Sequence, residues 1–195
     1  MTDQTLPDTP EEYGDYFTER IDRLNQRIED FHIEVNLSSP VIADRFGGIV
    51  ADLKADHDRI GEFAGRFRES AADTWHDLRD AAERSFERLE GEVSTAWADL
   101  RADKATEPHE YREAARVQAD SWRTHLDRLK LHARLGQMEA RDAAAGLDDA
   151  YQRAKPELER AGAAVGEALE ALREPARDLV THLRRAAKDF SRELD

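Results

Sequence analysis

Apolar residues recur every three or four positions along most of the chain, with charged residues between them. This spacing places the apolar side chains on one face of a helix and predicts helices that pack against partner helices. Runs of the same kind extend from Ile42 to Phe67, from Trp75 to Leu100 and from Trp122 to Met138. We therefore expect an all-α protein. The first and most regular run comprises Ile21, Leu24, Ile28, Phe31 and Val35.

Proline and small polar residues mark the predicted helix starts. Thr9 can cap a helix that begins at Pro10, because proline fits the first helical position. Ser39 and Pro40 repeat this arrangement and predict a break followed by a second start. Residues 70–73 resemble a capping box, so the run from Trp75 is either a new helix or a continuation of the preceding one.

The second half of the chain matches the first at a constant offset of 105 positions. Residues 22–24, Asp-Arg-Leu, recur at 127–129, and residues 81–82, Ala-Ala, recur at 186–187. A repeat of this kind predicts two tandem repeats of long antiparallel helical hairpins. The hairpins would pack as an elongated four-helix bundle or a coiled-coil-like rod. The predicted organisation is a disordered segment at 1–9, a first repeat at 10–103, a linker at 104–108 and a second repeat at 109–195.

Three signals in the second half predict further breaks. Residues 143–146 lie opposite the Ser-Ser-Pro break at the offset of 105, which suggests a turn there. Pro156 and Pro175 each lack an amide donor, so each should kink or restart a helix. Pro175 also lies opposite Ser70, which places a break signal at the same point of both repeats.

The chain is acidic, with 29 Lys and Arg against 43 Asp and Glu and a net charge of −14. Residues 1–105 carry 25 acidic and 13 basic groups, while residues 106–195 carry 18 and 16. An acidic surface repels phosphate backbones and anionic headgroups, so we expect neither nucleic acid nor a membrane as partner. The absence of cysteine excludes disulfides and thiol chemistry. With no signal-peptide pattern at the start, a cytoplasmic location is expected.

Glu29 and His32 have the Glu-x-x-His spacing that di-iron helical bundles use. At the offset of 105 their counterparts are Arg134 and Gln137, so the second motif that such a site requires is missing. We therefore expect no metal, no cofactor and no catalytic residue. A degenerate metal-binding bundle is an alternative to test.

Trp75, Trp97 and Trp122 lie within the apolar runs. Packing between helices is their expected role, and a binding site for a protein partner is the alternative. No pattern indicates a small-molecule substrate, so the expected partner is a protein or a second copy of the chain.

The amphipathic segment from Pro156 to Leu194, interrupted by Pro175, resembles the exchangeable apolipoproteins. This resemblance implies helices that lay an apolar face on lipid or on a hydrophobic granule. The apolar face here is rich in alanine and lacks the bulk that drives insertion. Burial of helix against helix is therefore preferred, with lipid binding as the alternative function.

Residues 122–142 read WRTHLDRLKLHARLGQMEARD, and residues 70–78 read SAADTWHDL. Both segments are similar to a family of bacterial coiled-coil stress-response proteins. The resemblance covers most of residues 111–190 and, more faintly, residues 16–100. It implies a helical, stress-associated protein without catalytic residues. We therefore expect a non-enzymatic coiled-coil or helical-bundle interaction protein related to stress.

Overall fold

The computed structural model describes residues 7, 9–70, 75–135, 138–163 and 167–194. Over these residues the protein is all-α, which confirms the predicted fold class. Helices that are neighbours in the chain pack as antiparallel pairs, α1 with α2, α4 with α5 and α5 with α6. The helices are α1 (Pro10–Asn36), α2 (Pro40–Glu69), α3 (Trp75–Lys104), α4 (Pro108–Leu135), α5 (Met138–Ala163) and α6 (Glu167–Leu194).

Both predicted helix starts in the first half are confirmed. The Thr9 hydroxyl accepts a hydrogen bond from the Glu12 amide at 3.3 Å, and Pro10 opens α1. The Ser39 hydroxyl lies 3.5 Å from the Ile42 amide, and Pro40 opens α2. Helix α2 ends at Glu69 and α3 begins at Trp75, so this part of the chain forms two helices rather than one.

Antiparallel pairing of helices is confirmed, but three helices rather than two begin within residues 10–103, and three more begin within residues 108–195. The turn suggested at residues 143–146 is wrong, since α5 continues through them. Pro156 and Pro175 restart no helix and lie inside α5 and α6. Both prolines are exposed, so water can solvate the carbonyl groups that lose their intrahelical donors.

Residues Met1–Val93 form one compact unit, unit 1. It contains α1, α2 and the first part of α3. The apolar face predicted for α1 is confirmed, because all five residues of its stripe are at most 5% exposed. Aromatic rings fill one end of the unit, where the Tyr13 ring lies 4.9 Å from Phe67 and 5.9 Å from Trp75.

Residues Ser94–Asp195 form the second compact unit, unit 2. It contains the last part of α3 together with α4, α5 and α6. Leu126 and Leu129 of α4, Leu147 of α5 and Leu183 of α6 are at most 1% exposed and form the centre of its core. The boundary between the units therefore falls within α3, whereas the predicted linker at 104–108 corresponds to the connection between α3 and α4.

At several positions, the two residues related by the offset of 105 are both buried. The ends of the helices do not follow this offset. Phe17 and Trp122 are both buried, as are Ile21 and its counterpart Leu126. Helix α1 ends at Asn36, but α4 ends at Leu135 rather than at residue 141. The tandem repeat stays a prediction. The predicted disorder of residues 1–9 lies largely outside the described residues.

Candidate functional site

A buried carboxylate joins three helices of unit 2. Asp99, near the end of α3, has a side chain that is only 6% exposed. Its Oδ1 accepts hydrogen bonds from Gln118 Nε2 at 2.8 Å and from Trp122 Nε1 at 3.1 Å, both on α4. Its Oδ2 accepts one from Arg184 Nη2 on α6. One side chain of α3 therefore holds both α4 and α6.

Burial and charge act in opposite directions on Asp99. Desolvation raises the pKa of its carboxyl group, while the Arg184 guanidinium and the donors of Gln118 and Trp122 lower it. Burial dominates, so the pKa lies above its ordinary value. The same guanidinium lies over the Trp122 ring at 5.5 Å from the centroid, and this contact further positions the arginine.

Two more arginines of α6 bind the end of α3. Arg177 Nε donates to Asp103 Oδ1 at 2.5 Å. Arg173 Nη2 donates to the backbone carbonyl of Ala105 at 2.6 Å, and its guanidinium lies 4.6 Å from the centroid of the Tyr111 ring. With Arg184, these residues form a row along α6, which we call the arginine row. Since cations are favourable at helix C-termini, the row stabilises the end of α3.

Unit 1 contains a related arrangement around Glu83 of α3. The Tyr13 hydroxyl donates to Glu83 Oε1, and Arg20 Nη1 donates to both carboxylate oxygens at 2.6 and 2.8 Å. Burial and the hydrogen bond to Glu83 raise the pKa of Tyr13, which therefore keeps its proton. The Arg20 guanidinium also lies 4.1 Å from the Phe86 ring centroid. These contacts fix α1 against α3.

The carboxylates of Asp99 and Glu83 accept hydrogen bonds from other side chains of the protein. This arrangement suits them to positioning helices. Neither carboxylate stands out in the sequence. Asp99 precedes the buried Leu100 and Glu83 follows the buried Ala82, so each lies beside the apolar face of α3. A charged residue next to such a face is common in amphipathic helices, and its donors come from distant positions in the chain.

The structure places the Glu29 and His32 pair against a lysine. Lys54 Nζ of α2 lies 2.8 Å from Glu29 Oε1 and 3.0 Å from His32 Nδ1. The hydrogen bond from Lys54 lowers the pKa of Glu29. Over the described part of the chain, no group of three or more His, Asp or Glu side chains could hold a metal ion. The Lys54 ammonium group therefore occupies the position beside Glu29 and His32 that a metal ion would need.

The three tryptophans occupy different environments. Trp75 is 4% exposed and Trp122 is 1% exposed, and both pack within the interior of their units. Trp97 is only partly buried, with the Arg101 guanidinium 5.9 Å from its ring centroid. Packing is thus the observed environment of Trp75 and Trp122.

Exposed large apolar side chains gather at the turn between α1 and α2. Leu37 is 76% exposed, Val41 is 68% exposed and Ile33 is 55% exposed. We call these three residues the hairpin end. Among the described residues, the other exposed large apolar side chains are Val117 and Leu131, which lie on α4.

No family model, curated protein or solved structure matches the chain. No helix within the described ranges is both long enough and apolar enough to cross a membrane.

Proposed function

We propose that the protein is a non-enzymatic helical-bundle interaction protein of the cytoplasm that acts in stress tolerance and contacts its protein partner through the hairpin end. The observation that carries this proposal is the exposure of Ile33, Leu37 and Val41 within nine residues of one turn. Exposed apolar side chains that lie close together mark interaction sites more often than single ones do.

The polar interior supports a role in binding rather than catalysis. Asp99 accepts hydrogen bonds from three side chains, and Glu83 accepts them from two. A general base needs a carboxylate that can reach a substrate proton. Here the oxygens of the buried Asp99 and the partly buried Glu83 accept hydrogen bonds from neighbouring helices, and this arrangement fixes the bundle.

The stress-related part of the proposal rests on the sequence. Residues 122–142 and 70–78 resemble the bacterial coiled-coil stress-response proteins, and the net charge of −14 keeps the surface well hydrated. Deletion of the gene should therefore reduce survival under stress. Unchanged survival under heat, oxidant and salt would remove this part of the proposal while leaving the binding role intact.

The lipid alternative requires unit 2 to open. The apolar face of α6 lies in the core, with Leu183 at 0%, Phe190 at 2% and Val180 at 6% exposure. That face can reach a lipid surface only after α6 leaves the bundle. Flotation with neutral vesicles tests this alternative, since binding that survives high salt would support it.

Site-specific photo-crosslinking tests the proposed contact surface. A photoreactive phenylalanine analogue replaces Leu37 in one variant and Leu131, on α4, in the matched control. After irradiation in stressed cells, we expect defined adducts of higher mass from position 37 and none of the same mass from position 131. Adding Ile33→Ser and Val41→Ser to the first variant should deplete those adducts.

Circular dichroism on each variant confirms that the helices are retained. Adducts that are absent from position 37, or that are identical at both positions, would contradict the proposed contact surface.

A further inference from the structure

We infer that the occupant of the hairpin end is a cationic, amphipathic segment of another protein, an inference that rests on the proposed function. The chain around the hairpin end carries more acidic than basic residues, and Lys54 pairs with one of the acids, Glu29. Residues 28–52 contain five acidic residues and one basic residue, Arg45. Of the acidic residues, Asp30 and Asp44 are exposed on α1 and α2.

The same sign of charge extends over the whole of unit 1. Residues Met1–Val93 carry 23 acidic and 11 basic groups, whereas Ser94–Asp195 carry 20 and 18. A strongly negative surface attracts cationic partners and accelerates their association. An acidic or neutral apolar partner would not gain from this field.

Charge also argues against a second copy of the chain as the occupant. A contact between two hairpin ends would bring two acidic surfaces together, and the like charges would oppose it. A basic segment would instead place its charges near Asp30 and Asp44 while its apolar face covers Ile33, Leu37 and Val41. One partner would then match both the negative charge and the apolar side chains of the hairpin end.

The turn is held in place before binding. The Leu37 amide donates to the Ile33 carbonyl at 3.0 Å, and the Ser38 hydroxyl donates to the Glu34 carbonyl at 2.8 Å. Ser39 caps the start of α2. A site whose backbone is already ordered loses less conformational entropy on binding, which favours the association.

Fluorescence anisotropy with synthetic peptides tests the inference on the full chain. The probe is a helical peptide of leucine and lysine, with leucine on one face. Its matched controls are the same peptide with glutamate in place of lysine, and oligolysine, which has no apolar face. We expect the leucine–lysine peptide to bind most tightly. Its affinity should fall as salt rises, because screening weakens the attraction.

Variants locate the binding surface. The triple variant Ile33→Ser, Leu37→Ser and Val41→Ser should weaken binding of the leucine–lysine peptide by about tenfold or more, since it removes the apolar contact. Asp30→Asn with Asp44→Asn should weaken it several-fold and flatten its salt dependence. The control variant Val117→Ser with Leu131→Ser should leave the affinity unchanged.

Equal binding of the glutamate peptide, equal binding of oligolysine, or an unchanged affinity of the triple variant would each overturn the inference. Self-association through position 37 that strengthens with salt would identify a second copy as the occupant. That result would overturn the cationic partner while leaving the proposed interaction role in place. Absence of cross-linked adducts from position 37 would contradict both the cationic partner and the proposed interaction role.

Discussion

At the scale of single residues, the structure uses one buried and one partly buried carboxylate to join helices. Asp99 of α3 binds Gln118 and Trp122 of α4 and Arg184 of α6, whereas Glu83 binds Tyr13 and Arg20 of α1. An acceptor inside a bundle is stabilising only when its donors are well placed. Loss of such an acceptor should therefore be costly.

Replacing Asp99→Leu should lower the free energy of unfolding by about 3 kcal/mol, because it leaves the donors of three side chains without their acceptor. Asp149→Leu provides the control, since Asp149 pairs with Arg153 on the exposed surface of α5. Asp149→Leu should alter the free energy of unfolding by no more than about 0.5 kcal/mol. Chemical denaturation followed by circular dichroism measures both, and equal effects of the two changes would contradict the structural role of Asp99.

Asp99 and Asp148 should contribute to stability with opposite dependence on pH. Burial raises the pKa of Asp99, so its contribution is fully present below the ordinary pKa of aspartate and is lost as pH rises through the folded-state value. The hydrogen bond from Lys130 lowers the pKa of Asp148, so its contribution is present above the ordinary pKa and is lost on acidification.

Unfolding free energies of the wild type, Asp99→Asn and Asp148→Asn across the acidic range test this difference. As pH rises, the wild type should lose stability relative to Asp99→Asn and gain it relative to Asp148→Asn. The gain in stability should be small, because 44% of the Asp148 side chain is exposed to solvent. If both differences in unfolding free energy changed in the same direction with pH, the direction of the pKa shift assigned to Asp99 or to Asp148 would be wrong.

At the scale of helices, the sequence predicted the starts of α1 and α2 because their signals are local. A cap such as Thr9 acts on an amide three residues away, and Pro10 acts on its own backbone. The apolar stripe of α1 was predictable for the same reason, since periodicity requires no knowledge of the partner.

The interior prolines show why other helix boundaries were not predictable. A proline removes one hydrogen bond, but packing of the remaining turns can hold the helix together. Pro156 and Pro175 leave α5 and α6 continuous because their other turns are packed in unit 2. The donors of Asp99 were missed for a related reason, because they are brought together by tertiary structure.

Glycines within α2 offer a test of helix propensity. A Cβ at Gly48 would meet nothing within 4 Å, so Gly48→Ala should raise the free energy of unfolding by about 0.5–1 kcal/mol. Gly14 of α1 differs, because a Cβ there would lie 3.4 Å from Phe67 Cβ. This is an ordinary van der Waals contact, so Gly14→Ala should raise the free energy of unfolding at least as much as Gly48→Ala, because the added methyl group is buried. Thermal unfolding compares the two, and a loss of stability in Gly14→Ala would contradict the packing around Gly14.

At the scale of the whole molecule, negative charge is concentrated in one unit. Unit 1 has a net charge of −12 and unit 2 a net charge of −2. Repulsion between like charges destabilises a compact state, and salt screens this repulsion. Salt should therefore stabilise unit 1 more than unit 2.

Single-tryptophan variants can report each unit separately. Trp97→Phe with Trp122→Phe leaves Trp75 in unit 1, and Trp75→Phe with Trp97→Phe leaves Trp122 in unit 2. Raising NaCl from about 0.02 M to about 0.5 M should raise the midpoint reported by Trp75 more than that reported by Trp122. Equal shifts would show that charge repulsion does not distinguish the units.

The arginine row has a consequence for how unit 2 avoids competing arrangements. Alanine-rich helices present similar surfaces when one slides along another by a turn of about 5.4 Å. A slide of α6 in one direction would place Val180 opposite Asp99, and a slide in the other would place Thr181 opposite Asp103. Either shift would leave an acid buried without its guanidinium, which is strongly unfavourable. The row thus selects one alignment among several that the apolar contacts alone would tolerate.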